Sequence, residues 1–268
     1  VTQSPGGLFV VRKDAYDRLY DRSKPKLIYG GVSGDRSSDQ MAVWGPEYLG
    51  WNLRWVIGYS GMGAMTMAFE RGEGQAYVTY NSFLLDPMKA SGQYVFVAQV
   101  GFPKGKNFVK RTDYPDVPLI SEQVKPKLSG VALEAFEAWE VVVQGGKWYG
   151  LPPKTPDTIV KVYEDAYLKA SKEKSFDQQA QKLWSPVYEV SNASETQDLA
   201  ARSWTVSDNA LAFIETLKRK VGIPASIPGV KRLRATLSGF AGDELSYIDG
   251  KKPKKIKLGD KTRIVVAG

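Results

Sequence analysis

The chain has 268 residues, 43% of them hydrophobic, and a formal net charge of +8. That is enough apolar material for one large or two ordinary domains with packed cores, and it excludes a disordered chain. With no cysteine and no histidine, the chain has no disulfide frame, no thiolate nucleophile, no Cys-bearing zinc site and no His-centred triad.

The first residues, Val1 to Pro5, read as the middle of a chain, and no signal peptide is visible. Gly7 to Val11 predicts a short buried strand and Lys26 to Tyr29 a second, followed by a Gly/Ser loop from Gly30 to Ser38. Met41, Trp44 and Tyr48 then recur at helical spacing, which predicts a helix over about Ser38 to Tyr48. Leu53 to Tyr59 is a strand, Ser60 to Gly63 a glycine loop and Ala64 to Arg71 a helix. Gln75 to Tyr80 is a strand, Ser82 to Ala90 a helix and Tyr94 to Val100 a strand. Strands alternating with short helices imply βαβ units and a largely parallel sheet.

An irregular, Pro-rich stretch follows to about Pro118, then a short helix near Leu119 to Val124. Glu140 to Val143 reads as a strand and Trp148 to Leu151 as a candidate strand. Pro156-Asp157 opens a strong helix, with Asp157 and Thr158 as caps and Ile159, Val162, Tyr163, Ala166 and Tyr167 as its apolar stripe. Phe176 to Leu183 and Glu195 to Leu217 predict two further helices, the second ending in the basic cluster Lys218-Arg219-Lys220. No run approaches the roughly 18 to 20 apolar residues that cross a bilayer.

From Ile227 the pattern changes to short alternating runs at Leu233 to Leu237, Glu244 to Ile248, Lys254 to Leu258 and Thr262 to Val266. Asp249-Gly250 is a good hairpin turn between the second and third. Residues 225–268 hold 10 Lys and Arg against 4 Asp and Glu, a charge of +6, which leaves +2 for residues 1–224. The basic character belongs to this tail, and a nucleic-acid partner is not expected. The division predicted is a central α/β ligand-binding lobe over 1–145, a helical part of the other lobe over 146–224, and a small basic β module over 225–268.

Two loops carry the candidate chemistry. Tyr29-Gly30-Gly31-Val32-Ser33-Gly34-Asp35-Arg36-Ser37-Ser38 and Tyr59-Ser60-Gly61-Met62-Gly63-Ala64 each link a strand to a helix N-terminus. Free backbone N–H groups and the helix dipole favour an anion there. In a parallel sheet both loops leave the carboxyl ends of their strands, the usual place for ligands in open α/β sheets. Ser33, Ser37, Ser38 and Ser60 supply donors, and Arg36 a bidentate partner for a carboxylate. One such loop is as readily an ordinary βα turn with capping serines; two in succession favour a cleft.

Neither loop has the Gly-Lys-Ser/Thr of a phosphate loop. The second lacks both the third small residue of the dinucleotide fingerprint and an acidic residue at the end of the next strand, so no nucleotide cofactor is expected. Glu134, Glu137 and Glu140, spaced by three, fit acid–base work or a solvated helix face, and the face is the simpler reading. Trp139, Trp148 and Tyr149 read first as packing residues, and the Lys251–Lys255 run as a solvated hairpin edge. No metal site and no enzyme activity are expected.

The order of these features resembles the substrate-binding proteins of tripartite tricarboxylate transporters, the Bug family. Gly30 to Ala42 is similar to the family's Ser/Gly loop and helix, and Val56 to Met65 to its "V-P-Y-K-G-G-G-P-A" strand and loop, closed by Arg71-Gly72-Glu73. Tyr114-Pro115-Asp116-Val117-Pro118-Leu119-Ile120-Ser121-Glu122 is similar to "L-P-D-V-P-T-x-x-E", and Trp148 to Asp157 to the "W-x-G-L" segment before the long helix. The resemblance covers about residues 7–220.

It implies a type II periplasmic-binding-protein fold, a location outside the cytoplasm, capture of a small organic anion, and delivery to a membrane permease. By match, the anion would meet Ser33, Gly34, Asp35, Arg36, Ser37 and Ser38, then Tyr59, Ser60, Gly61, Met62 and Gly63, and Asn81 at the next strand end. The family's first βα lobe half has no counterpart here, so the first lobe is expected to lack its N-terminal part. Tyr59-Ser60-Gly61-Met62-Gly63 replaces "Y-K-G-G-G", Asp39 and Gln40 stand where the family has a His, and the β tail is extra. A repurposed fold, docking another protein chain through residues 227–268, is the alternative.

Overall fold

The computed structural model describes residues 2–3, 5–34, 36–104, 107–146, 149–183, 185–186, 188–223, 236–241, 244–249 and 252–257. The chain divides into two compact units, Val1–Ala225 and Ser226–Gly268. In the first unit the elements are, in order, β1 (Thr2–Gln3), β2 (Leu8–Arg12), β3 (Leu27–Gly31), α1 (Met41–Tyr48), β4 (Leu53–Ile57), α2 (Met62–Glu70), β5 (Ala76–Thr79), α3 (Ser82–Ser91) and β6 (Tyr94–Gln99). Then follow β7 (Phe102–Lys104), β8 (Asn107–Val109), α4 (Ile120–Val124), α5 (Gly130–Gln144), α6 (Asp157–Ala170), α7 (Lys174–Leu183), β9 (Glu189–Val190), α8 (Ala193–Trp204) and α9 (Asp208–Lys220). The second unit holds β10 (Thr236–Ala241), β11 (Glu244–Asp249) and β12 (Lys252–Lys257), paired antiparallel in that order.

The central sheet has the order β4-β3-β5-β2-β6. β3 pairs parallel with β4 over Leu27–Gly31 and with β5 at Tyr29, while β2 runs antiparallel to both β5 and β6. Four strands thus point one way and β2 alone points the other. From β3 the chain steps outward to β4, and from β5 it steps the opposite way, past β2, to β6. The carboxyl ends of β3 and β5 therefore flank a topological switch point, the place where open α/β sheets commonly bind ligands.

The alternating side chains of the strands feed two cores. Phe9, Val11, Tyr29, Trp55, Ala76 and Val78 pack with α1, α4, α5 and α9 on one face. Leu8, Val10 and Tyr77 pack with Met65 and Phe69 of α2, Leu85 and Met88 of α3, and Tyr114 and Val117 on the other. At Gly45 a Cβ would lie 1.9 Å from the Trp51 ring, so only glycine lets α1 come this close. Pro46 supplies no N–H to the carbonyl of Ala42, four residues back. The Trp55 indole takes that place, donating to the Ala42 carbonyl at 3.0 Å.

Several expectations need correction. Glu140 to Val143 is not a strand but the last turns of α5, whose Ala135, Phe136, Trp139 and Glu140 are buried at helical spacing. Tyr149 to Leu151 forms no strand, and Trp148 lies outside the described residues. Glu195 to Leu217 is two helices, because Ser207 caps α9 by accepting from the Ala210 N–H at 3.2 Å while Glu134 holds the Ser207 N–H and hydroxyl at 2.9 Å each. The irregular stretch after Gly101 contains the β7–β8 hairpin. In the tail, the runs at Leu233, Glu244 and Lys254 meet β10, β11 and β12 with shifted bounds; Thr262 to Val266 and Gly250 lie outside the described residues. No helix among the described residues is long and apolar enough to cross a membrane.

Candidate functional site

The parallel pairing of β3, β4 and β5 sets three strand-to-helix connections side by side at one edge of the sheet. The first is Val32 to Arg36, leading through a 3-10 turn (Ser37–Gln40) into α1. The second is Gly58 to Gly61, leading into α2, and the third is Tyr80-Asn81, leading into α3. Asp35 lies outside the described residues; the other eleven residues expected at the site belong to these connections or to the first turn of α2.

Contact joins the first two loops. The Arg36 guanidinium lies against the Met62 sulfur, and Gly30 is wedged between Tyr59 and Met65, either of which would stand 3.1 Å from an added Cβ. Gly61 and Gly63 face open space, with nothing within 4 Å of a Cβ built on them. No side chain caps α2, whose N-cap is Gly61. Its first-turn N–H groups thus meet the surroundings across glycines, at the positive end of the helix dipole.

Other expected contacts have internal roles. Gly34, at φ +74°, is buried against Ile223. The Ser37 carbonyl accepts the Trp139 indole N–H at 2.8 Å, which ties the turn before α1 to α5. Ser38 donates to Asp39 at 3.2 Å. The Asn81 side chain caps α3, accepting from the Phe83 N–H at 3.0 Å. Ser33 is half-buried, and Ser60 is exposed at the rim.

Beneath the loops lies a buried polar layer that the residue pattern did not disclose. Asp39 is fully buried, 3.7 Å from Arg36, and one of its carboxylate oxygens has no hydrogen-bond partner. Burial holds the Asp39 carboxyl above its ordinary value, against the opposing pull of the Arg36 charge, the nearby Tyr29 hydroxyl and the Ser38 hydrogen bond. The fully buried Tyr29 phenol is pushed well up, first by burial and then by the Asp39 charge. Tyr77 bonds Thr66 at 2.8 Å and is also raised by burial. An aspartate in the first turn before a helix reads from sequence as a dipole partner; only the folded structure, which seats it beside Tyr29 of β3, reveals its burial.

The carboxylates spaced by three are occupied structurally. Glu134 caps α9 through Ser207, and Glu140 is buried and paired with Lys125 at 2.7 Å. Burial raises the Glu140 carboxyl, against the Lys125 hydrogen bond and charge. Glu137 is exposed. Among the described residues no group of acidic side chains is arranged to hold a metal. Two cavities lie away from the loops. One of about 270 Å³ sits at the amino end of β4 between Trp51, Leu53, Leu217 and Lys220, and one of about 400 Å³ sits beside β6 between Tyr94, Phe96 and Tyr114.

No protein-family model matches the sequence, and no curated protein does. Solved structures do match. A TctC solute-binding protein from Polaromonas, solved with no ligand, has a TM-score of 0.50 at 16% identity, over 82% of this chain and 67% of that one. A structure described as a periplasmic transporter has a TM-score of 0.53 at 15% identity, over 84% of this chain and 68% of that one. An R. palustris protein solved with adipate has a TM-score of 0.53 at 17% identity, over 83% and 67%. The chain is similar to about two thirds of each, and what it shares with them is a mixed α/β fold.

Proposed function

We propose that this chain is an extracytoplasmic solute-binding protein that captures a small organic anion, a carboxylate, and serves a tripartite tricarboxylate transporter through its membrane permease. The observation that carries this reading is the set of three βα connections at the carboxyl edge of the sheet, two of them flanking its switch point, with the uncapped, glycine-flanked N-terminus of α2 as the third. Backbone N–H groups at such an edge read a carboxylate by charge and shape. The shared fold supports the reading, as does the adipate held by one of the similar proteins. The domain division that goes with it is a ligand-binding lobe over 1–145, a helical part of a second lobe over 146–224, and a basic β module over 225–268.

A thermal-shift titration against mono-, di- and tricarboxylates at low salt tests it. Ligand at about 100 times its dissociation constant stabilises the native state by roughly 2.7 kcal/mol. Ser60→Ala, at an exposed rim residue, should weaken that response without lowering the melting temperature of the free protein. Absence of any shift across the three classes would reject the carboxylate reading. One observation favours a second reading, an interaction subunit: β12, the last of the three strands described in the second unit, places Lys252, Lys254, Lys255 and Lys257 at exposed positions. Co-purification of another chain, lost on deleting residues 227–268, would support it.

A further inference from the structure

The charges behind the candidate site are already matched. Arg36 and Arg111 are the guanidinium groups that reach the carboxyl edge of the sheet among the described residues. Arg36 faces the fully buried Asp39 at 3.7 Å. Arg111, itself buried, forms a two-pronged pair with Asp113 at 2.9 and 2.7 Å, and its remaining arm donates to the carbonyl of Tyr80, just past β5, at 3.4 Å. Its backbone N–H donates to the Gln99 side chain at the end of β6, at 2.8 Å. Lys104 and Lys110, on and just after the β7–β8 hairpin, are exposed, where solvent and salt screen them.

A carboxylate entering between the loops thus meets neutral donors: the first-turn N–H groups of α2 and the hydroxyl of Ser60. One anionic group is served by those donors and the helix dipole. A second anionic group on the same ligand would need a cation of its own, and each guanidinium nearby is balanced by an aspartate. Asp39 matters most, because burial keeps its charge close to Arg36 with little screening.

We propose that this edge of the sheet selects ligands carrying one carboxylate over those carrying two or three, with Asp39 as the specificity-determining residue. The inference rests on the reading of this edge as a carboxylate site and adds the charge class of the ligand.

Isothermal titration of the full chain at pH 7.5 with length-matched pairs tests it: propionate and malonate, butyrate and succinate, hexanoate and adipate. In the wild type the monocarboxylate of the tightest-binding pair should bind more tightly than its dicarboxylate. Asp39→Asn, an isosteric change that frees Arg36, should shift the ratio toward the dicarboxylate by about tenfold. Asp113→Asn, at a side chain 24% exposed, frees Arg111 and should shift it in the same direction if the first variant does not fold. A wild-type preference for the dicarboxylate, or a ratio unchanged in every folded variant, overturns the selectivity and leaves the carboxylate site standing. No binding by any of the six overturns the site itself, and the selectivity falls with it.

Discussion

Helices α1 and α6 both carry apolar residues at helical spacing, and the fold treats them in opposite ways. The first five residues of α1, Met41 to Gly45, are all buried, with Trp44 against Phe136, Trp139 and Phe213. No residue of α6 is buried, and Ile159, Val162 and Tyr163 of its stripe are 45%, 63% and 61% exposed. What α6 does pack is the C-terminal end of that stripe, where Tyr167 meets Tyr149 and Phe176. Periodicity reports that a helix has an apolar face. Whether that face is covered depends on a sheet being there to receive it, as it is for α1 and is not for α6 among the described residues.

The contrast yields a ranked set of stability tests by urea unfolding. Trp44→Ala in α1 should cost about 3–5 kcal/mol, through lost burial and the cavity left behind. Gly45→Ala should cost about 1–3 kcal/mol, since its methyl overlaps the Trp51 ring. Ser207→Ala, at the break between α8 and α9, should cost about 1 kcal/mol through the lost cap. Val162→Ala on α6 should stay within about 0.5 kcal/mol, as for an exposed position. A cost for Val162 approaching that of Trp44 would show that the α6 face is covered in solution and would break the comparison.

A pH series sharpens it at the buried layer beside α1. The Asp39 carboxyl is raised in the folded protein, so the folded state holds the proton more tightly than the unfolded chain. Its contribution to stability is full below the ordinary aspartate value of 3.8 and is lost as pH rises through the raised folded value. Glu140, raised for the same reason from 4.5, shifts stability with pH in the same direction. Unfolding of Asp39→Asn at pH 4 and pH 7 should show a smaller loss of stability across that interval than the wild type. An identical loss in the two proteins would remove Asp39 as its source.

Much of the central sheet and its helices was legible in the residues. The strands from Leu8 to Gln99 and the three helices between β3 and β6 lie where alternation, helical spacing and glycine loops put them, within a few residues at each end. The meeting of the two Gly/Ser loops followed from strand order in βαβ units, and Arg36 against Met62 is that meeting in contact form. The antiparallel seat of β2 between β5 and β6 was not legible, because a fully buried run such as Leu8 to Val11 reads the same in either direction. Nor was the continuity of α5, where Glu140 and the Val141 to Val143 run suggest a strand until Phe136 and Trp139 are seen to share its buried face.

At the site, the sequence by itself determined which chain segments could offer backbone donors, because glycine content and strand-to-helix transitions are local properties. It also determined that neither His nor Cys chemistry takes part. Only the tertiary structure decided how those donors are electrically balanced: Asp39 sits two residues into a polar turn and becomes a buried countercharge to Arg36 beside Tyr29 of β3, while Arg111 reaches the same edge from the segment beyond β6. Burial and charge pairing depend on which distant elements come together, and no local pattern records that.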